Sequence, residues 1–227
     1  MKLQRQTPGV DLTITLVLAT VVSLILYVAM VQHSGQLVFQ YLVWNLFLAW
    51  IPLGLVAVLL WLLKRHAWSA WLPLIVTLLW LAFLPNSFYM VTDFIHLRTV
   101  YSGDIVPAAV LFTAFVFTGL LLGYTSLYFV HHELRRRMAP RIAFGWVAVI
   151  VAICSFAIYI GRDLRWNSWD VLTNPAGLLF DLSDHVVHPG RYGDLLPQTV
   201  SFFVLLLGMY AVVWRLLSLV SRQVRQP

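Results

Sequence analysis

The sequence predicts an all-α fold: a polytopic membrane helix bundle of six transmembrane helices, both termini cytoplasmic, with short interfacial helices on the outer face. Three observations predict it. Of 227 residues, 61% are hydrophobic and only 11% are charged, against roughly a quarter charged in an ordinary soluble domain. The apolar residues gather into six runs near the ~20 residues a helix needs to cross the hydrocarbon core. Lys and Arg fall at the ends of those runs and favour one side. A water-soluble fold has no way to hide so much apolar surface, and lipid removes that difficulty.

The first run covers about 12–31 and follows Lys2 and Arg5. That flank also suits a secretory signal, but the run's length and the lack of a small-residue cleavage site predict a retained helix. The second, about 43–63, closes on Lys64, Arg65 and His66. The third, about 67–84, meets Pro85, whose ring and missing N–H predict a kink or stop at Leu84. The fourth, about 105–130, leads into HHELRRR, so His131 and His132 are expected in solvent. Its Gly119 and Gly123 form a GxxxG step, which points to close helix packing. The fifth, about 142–160, stops at Gly161 and Arg162, and its Cys154 and Ser155 read as packing residues. The sixth covers about 199–220, with Arg215 near its inner end, where a long side chain reaches the headgroups. Together these form one transmembrane domain over 1–227, with outer cap segments at 85–104 and 161–197.

Charge sets the orientation. Eleven of the 15 Lys and Arg lie at the ends that carry the termini, and only Arg98, Arg162, Arg165 and Arg191 lie on the other side. Cytoplasmic loops carry the excess of Lys and Arg, which predicts both termini in the cytoplasm of a cell that inserts the chain in its cytoplasmic membrane. The net charge of +6 therefore reads as membrane orientation and not as a nucleic-acid surface. A lone cysteine allows no intrachain disulfide and no cysteine-based metal site. HExxH, GxSxG, P-loop and GxGxxG patterns are absent, which removes the enzyme classes that depend on them.

The chemistry-capable residues gather on the outer side, in LPNSFYMVTDFIHLR, GRDLRWNSWD and DLSDHVVHPGRYGD. In the first segment Asn86 or Ser87 can cap a short helix, on which Asp93 and His96, three apart, face one way. Either these polar groups simply face water, or Asn86, Tyr89, Asp93 and His96 line a pocket, with Asp93, His96 and the later Asp170 as catalytic candidates. In the second segment Arg162 and Arg165, with Asn167, can hold a phosphate or carboxylate, since a guanidinium offers a fork of donors. Alternatively the arginines pair with Asp163, Asp170 or Asp93 and lock the outer segments together. In the third, Asp181, Asp184, His185 and His188 fall on one helical stripe. Asp184, His185 and His188 are the donors a divalent metal would use, completed by Asp93 or His96; a solvated stripe without metal is the alternative.

The LPNSFYMVTDFIHL run together with GRDLRWNSWD resembles a bacterial multi-pass membrane family catalogued as domain of unknown function 1361. The shared pattern includes LPN, Tyr89, Thr92-Asp93, His96-Leu97 and Asn167-Ser168-Trp169-Asp170, and it covers the chain from the second run onward. The family pattern carries a proline near Ser87, where this chain has serine. The resemblance implies fold and location and supplies no catalytic residues.

Three functions from different classes compete. One is a metal-assisted hydrolase or transferase acting on a lipid-linked substrate or an anionic headgroup. Another is an accessory subunit that docks a partner through Trp166 and Trp169. A transporter is the third; with no ionisable group in the middle of any span, its cargo would be neutral or lipid-like.

Overall fold

The computed structural model describes residues 8–100, 104–163 and 195–223, with 173, 174, 176, 177, 180, 183, 184 and 187 between the last two stretches. Among them six helices are long and apolar enough to cross a membrane. They are α1 (Pro8–Ser34), α2 (Gln40–Leu62), α3 (Trp71–Tyr89), α4 (Ile105–Arg135), α5 (Pro140–Asp163) and α6 (Leu195–Gln223), and a 3₁₀ helix, Met90–Thr99, follows α3 directly. Helices are what such runs must form, because lipid offers backbone N–H and C=O groups no other partner. Most of the helices outrun their apolar stretch by about a turn, because charged end residues such as Arg135 stay in register while their heads reach the polar zone.

Inter-helix polar contacts give the directions. Ser23 and Thr118 hydroxyls lie 2.9 Å apart in mid-bundle, and His33 Nε2 meets Asp104 Oδ1 at 2.9 Å, so α1 and α4 run antiparallel. Tyr124 donates its hydroxyl to the Leu206 carbonyl at 3.1 Å, and His131 Nδ1 lies 2.8 Å from the Tyr210 hydroxyl, so α4 and α6 run parallel. One end of the bundle thus carries the connections 34–40 and 89–105, and the other carries 62–71 and 135–140. At the first end Gly35 closes α1 with φ 66°, a left-handed turn that glycine adopts without a Cβ penalty.

Helix α4 is central and packs on α1, α2, α3 and α5. On one side Leu16, Leu42, Phe112 and Phe115 join α1, α2 and α4. On the other, Trp80, Phe88, Tyr124, Cys154 and Tyr210 join α3 to α6. Cys154 and Ser155 are fully buried packing residues, with the Ser155 hydroxyl donating to Val151 O at 2.8 Å. Large apolar side chains such as Leu18, Ile25, Val106 and Val204 point outward and are mostly exposed, as lipid-facing positions are. The GxxxG step packs closely: a Cβ on Gly119 would sit 2.8 Å from the Ser87 carbonyl oxygen, and one on Gly123 2.7 Å from the Phe88 ring.

Two expectations are corrected. Helix α3 does not stop at Leu84 but passes through Pro85 to Tyr89. Pro85 deprives the Leu81 carbonyl of its helical donor, yet the turn is held from outside. Ser87 Oγ donates to Ala49 O of α2 at 3.1 Å, and Leu84, Ser87 and Phe88 are buried. Neighbouring helices commonly rescue prolines in membranes this way. Accordingly neither Asn86 nor Ser87 caps a new helix; Asn86 Nδ2 donates within the turn, to Phe83 O at 3.1 Å. His131 is also not in solvent. Because α4 runs on past Val130, His131 packs under Trp214, with ring centroids 4.1 Å apart, and against Tyr210. His132 is exposed, as expected.

Candidate functional site

The proline turn and the 3₁₀ helix have a local consequence. A 3₁₀ helix repeats every three residues, so side chains at i and i+3 eclipse. Asp93 and His96 stand at that spacing on Met90–Thr99, and Tyr89 and Asn86 continue the same side down the last turn of α3. The glycines of α4 allow this segment to lie flush against the central helix, and its polar side turns toward α2 and α5.

There the bundle holds a cavity of about 580 Å³ between α2, α3 and α5. Asn86, Tyr89, Asp93 and His96 all line it, and so do Tyr41 and Asn45 from α2. Below this polar end the walls are apolar, with Leu78 and Leu81 from α3 and Ile153 and Ala157 from α5. The volume falls within the range of small-molecule sites.

Asp93 is the centre of the polar end. It is only 3% exposed, and among the described residues its hydrogen bond comes from the neutral Asn45 side chain, Nδ2 to Oδ2, at 3.2 Å. A carboxylate withdrawn from water needs strong pairing, and one amide donor supplies little of it. Beside it, the Tyr41 and His96 rings are in contact, centroids 4.9 Å apart and planes tilted by 50°. The Tyr41 hydroxyl is buried and meets no hydrogen-bond partner among the described residues. Buried polar atoms in native proteins almost always have a partner, and this hydroxyl stands in the cavity wall.

Of the residues singled out in the sequence, four thus share one cavity. Arg162 is half-buried one residue beyond Gly161, which lines the cavity. Asp93 takes its hydrogen bond from Asn45 and not from Arg162. Asp184 is half-buried and does not line the cavity. Arg165, Asn167, Asp170, Asp181, His185 and His188 lie outside the described residues, as do Trp166 and Trp169. Among the described residues no three His, Cys, Asp or Glu side chains gather as a metal shell. Sequence reasoning missed Tyr41, Trp44 and Asn45. Asn45 was findable: it is a lone amide inside an apolar span, and such a residue faces a helix neighbour or a cavity.

Six helices long and apolar enough to cross a membrane, three of them enclosing a polar-ended cavity, make this a multi-pass helical membrane protein. The chain belongs to the family described as protein of unknown function (DUF1361), whose model matches residues 44–215. That range begins at Trp44 in the cavity wall and contains the whole of α3 and the 3₁₀ helix. No curated protein and no solved structure matches the chain.

Proposed function

We propose that this protein is a membrane enzyme that works on the polar head of a lipid-like substrate, with Asp93 as general base and His96 as its partner in proton transfer. The observation that carries this reading is the buried, weakly paired Asp93 carboxylate at the polar end of a cavity whose walls are otherwise apolar. A bland interfacial helix would turn that carboxylate to water. The tail of the substrate lies along Leu78, Leu81, Ile153 and Ala157, and the head reaches Asn45, Asn86, Asp93 and the Tyr41 hydroxyl. Asp93 takes the proton of an attacking water or acceptor hydroxyl. The new bond forms at the head group, the bond to the leaving oxygen breaks, and that oxygen receives a proton relayed through His96. Arg162, with Arg165 and Asn167, steadies an anionic head, and Asp170 is assigned as a further acid-base group. A divalent metal held by Asp184, His185 and His188 would add charge stabilisation to the same step. The polar end faces away from the cytoplasm, as the Lys and Arg distribution predicts, in a bacterial cytoplasmic membrane.

The test is to purify the full chain in mild detergent, extract what it retains, and identify it by mass spectrometry beside Asp93→Asn and Asn86→Leu. Wild-type protein is expected to carry an amphiphile and its converted product, Asp93→Asn the amphiphile alone, and Asn86→Leu neither. Identical lipid profiles in all three would refute the reading.

A further inference from the structure

The opposite end of the bundle carries a second, unrelated cavity of about 480 Å³. It opens where α2 ends and α4 passes into its last turns. Leu60, Leu63 and Phe129 form its inner wall, and Lys64, Arg136 and Arg137 stand above them. One acid, Glu133, is part of the lining. Its carboxylate is mostly buried and accepts from Arg137 at 2.7 and 3.1 Å and from Arg136 at 3.3 Å. Arg137 also lies over the Trp68 ring, 5.1 Å from its centroid. One carboxylate thus fixes two guanidiniums without cancelling the charge, since three cations face a single acid. The arginine side chains remain partly exposed, 70% for Arg136 and 35% for Arg137, so donors are left for a further anion.

We propose that this cavity binds the phosphate of an anionic phospholipid, the head between Lys64 and Arg136 and the upper acyl chain along Leu60 and Phe129. Phosphate chemistry follows from the guanidinium forks, which match phosphate oxygens in pairs. The lipid source follows from the walls: the floor below the cations is apolar, and it lies at the ends of two membrane-crossing helices. Basic pockets between transmembrane helices are established sites for such heads. A soluble anion such as inorganic phosphate would use the same cations but would have no use for the apolar wall.

The test uses the full chain in neutral detergent, titrated with phosphatidylglycerol, phosphatidylcholine or inorganic phosphate and read by native mass spectrometry. The variants are Lys64→Gln, Arg136→Gln and, as a charge control on the same face, Arg141→Gln. Phosphatidylglycerol is expected to bind one to one and to weaken about fivefold with Lys64→Gln or Arg136→Gln, the value of one cation near an anionic head. Arg141→Gln is expected to bind like wild type, and millimolar inorganic phosphate is expected not to displace the lipid. Equal weakening by Arg141→Gln would show surface charge alone and overturn the site. Displacement by inorganic phosphate would overturn the lipid assignment. Equal affinity for phosphatidylcholine would overturn the phosphate recognition. Melting temperatures of the variants, expected within about 2 °C of wild type, separate lost binding from lost fold.

Discussion

Replacing Gly119 by alanine tests how the fold presents the cavity. The new methyl would lie 2.8 Å from the Ser87 carbonyl oxygen and 2.6 Å from Met90 Sδ. The thioether can swing aside, but the oxygen belongs to helical backbone held by the Ser87 bond to Ala49. Relief therefore needs α3 to retreat from α4 by a few tenths of an ångström, between fully buried Phe88 and Phe115. Overpacking of a tight interior costs about 1–3 kcal/mol. At roughly 2–4 °C per kcal/mol for a chain of this size, the melting temperature should fall by several degrees. Gly145→Ala is the contrast, because nothing lies within 4 Å of a Cβ there, and alanine is the better helix former by up to ~1 kcal/mol. Scanning fluorimetry on the tryptophans in one detergent reads both variants. Because Tyr89 and Asp93 ride on the displaced segment, Gly119→Ala should also lose the retained amphiphile. If the two alanine variants melt together, the close α3–α4 contact is not what positions the site.

Asp93→Asn keeps the shape and the Asn45 contact; turnover of the retained amphiphile should drop about 10²–10⁴-fold, the usual share of a general base, while the melting temperature holds. Ser87→Ala removes the hydroxyl bond to Ala49 and should cost about 0.5–1.5 kcal/mol, seen as a lower detergent melting point. Trp80→Ala empties a site that is 1% exposed and loses the indole N–H bond to Ser126 at 2.7 Å; a loss of about 3–5 kcal/mol should leave little folded protein on size exclusion. Glu133→Gln keeps its size but surrenders the charge that fixes Arg136 and Arg137; with both arginines partly solvated the cost should stay near 1 kcal/mol, and a melting curve in low and high salt should show the gap closing with salt.

The six spans were legible because the bilayer sets one demand, about 20 apolar residues, that composition alone satisfies or fails. Span ends were less so, since Arg135 and Asp163 stay helical while leaving the apolar zone. Pro85 misled for a different reason. Its local preference is real, but the burial of Phe88 and the Ser87–Ala49 bond are long-range facts that no window around residue 85 contains. His131 failed likewise, because its cover, Tyr210 and Trp214, comes from the far end of the chain. In the cavity, the i, i+3 spacing of Asp93 and His96 was visible, and so was their grouping with Asn86 and Tyr89. Asn45 and Tyr41 were not joined to them, because pairing α2 with the 3₁₀ helix depends on how α2 and α3 pack, and periodicity says nothing of that.

The cavity between α2, α3 and α5 is proposed to hold the head of a lipid-like molecule with its tail beside α5. A phospholipid carrying a photoreactive group high on its acyl chain, crosslinked in reconstituted vesicles and mapped by mass spectrometry, tests this directly. The expected result is labelling at Leu81 and Ala157 that falls several-fold in Asn86→Leu, while labelling at Leu18 and Ile25 on the lipid face of α1 is unchanged. Labelling of Leu81 and Ala157 that is the same in both proteins would contradict it.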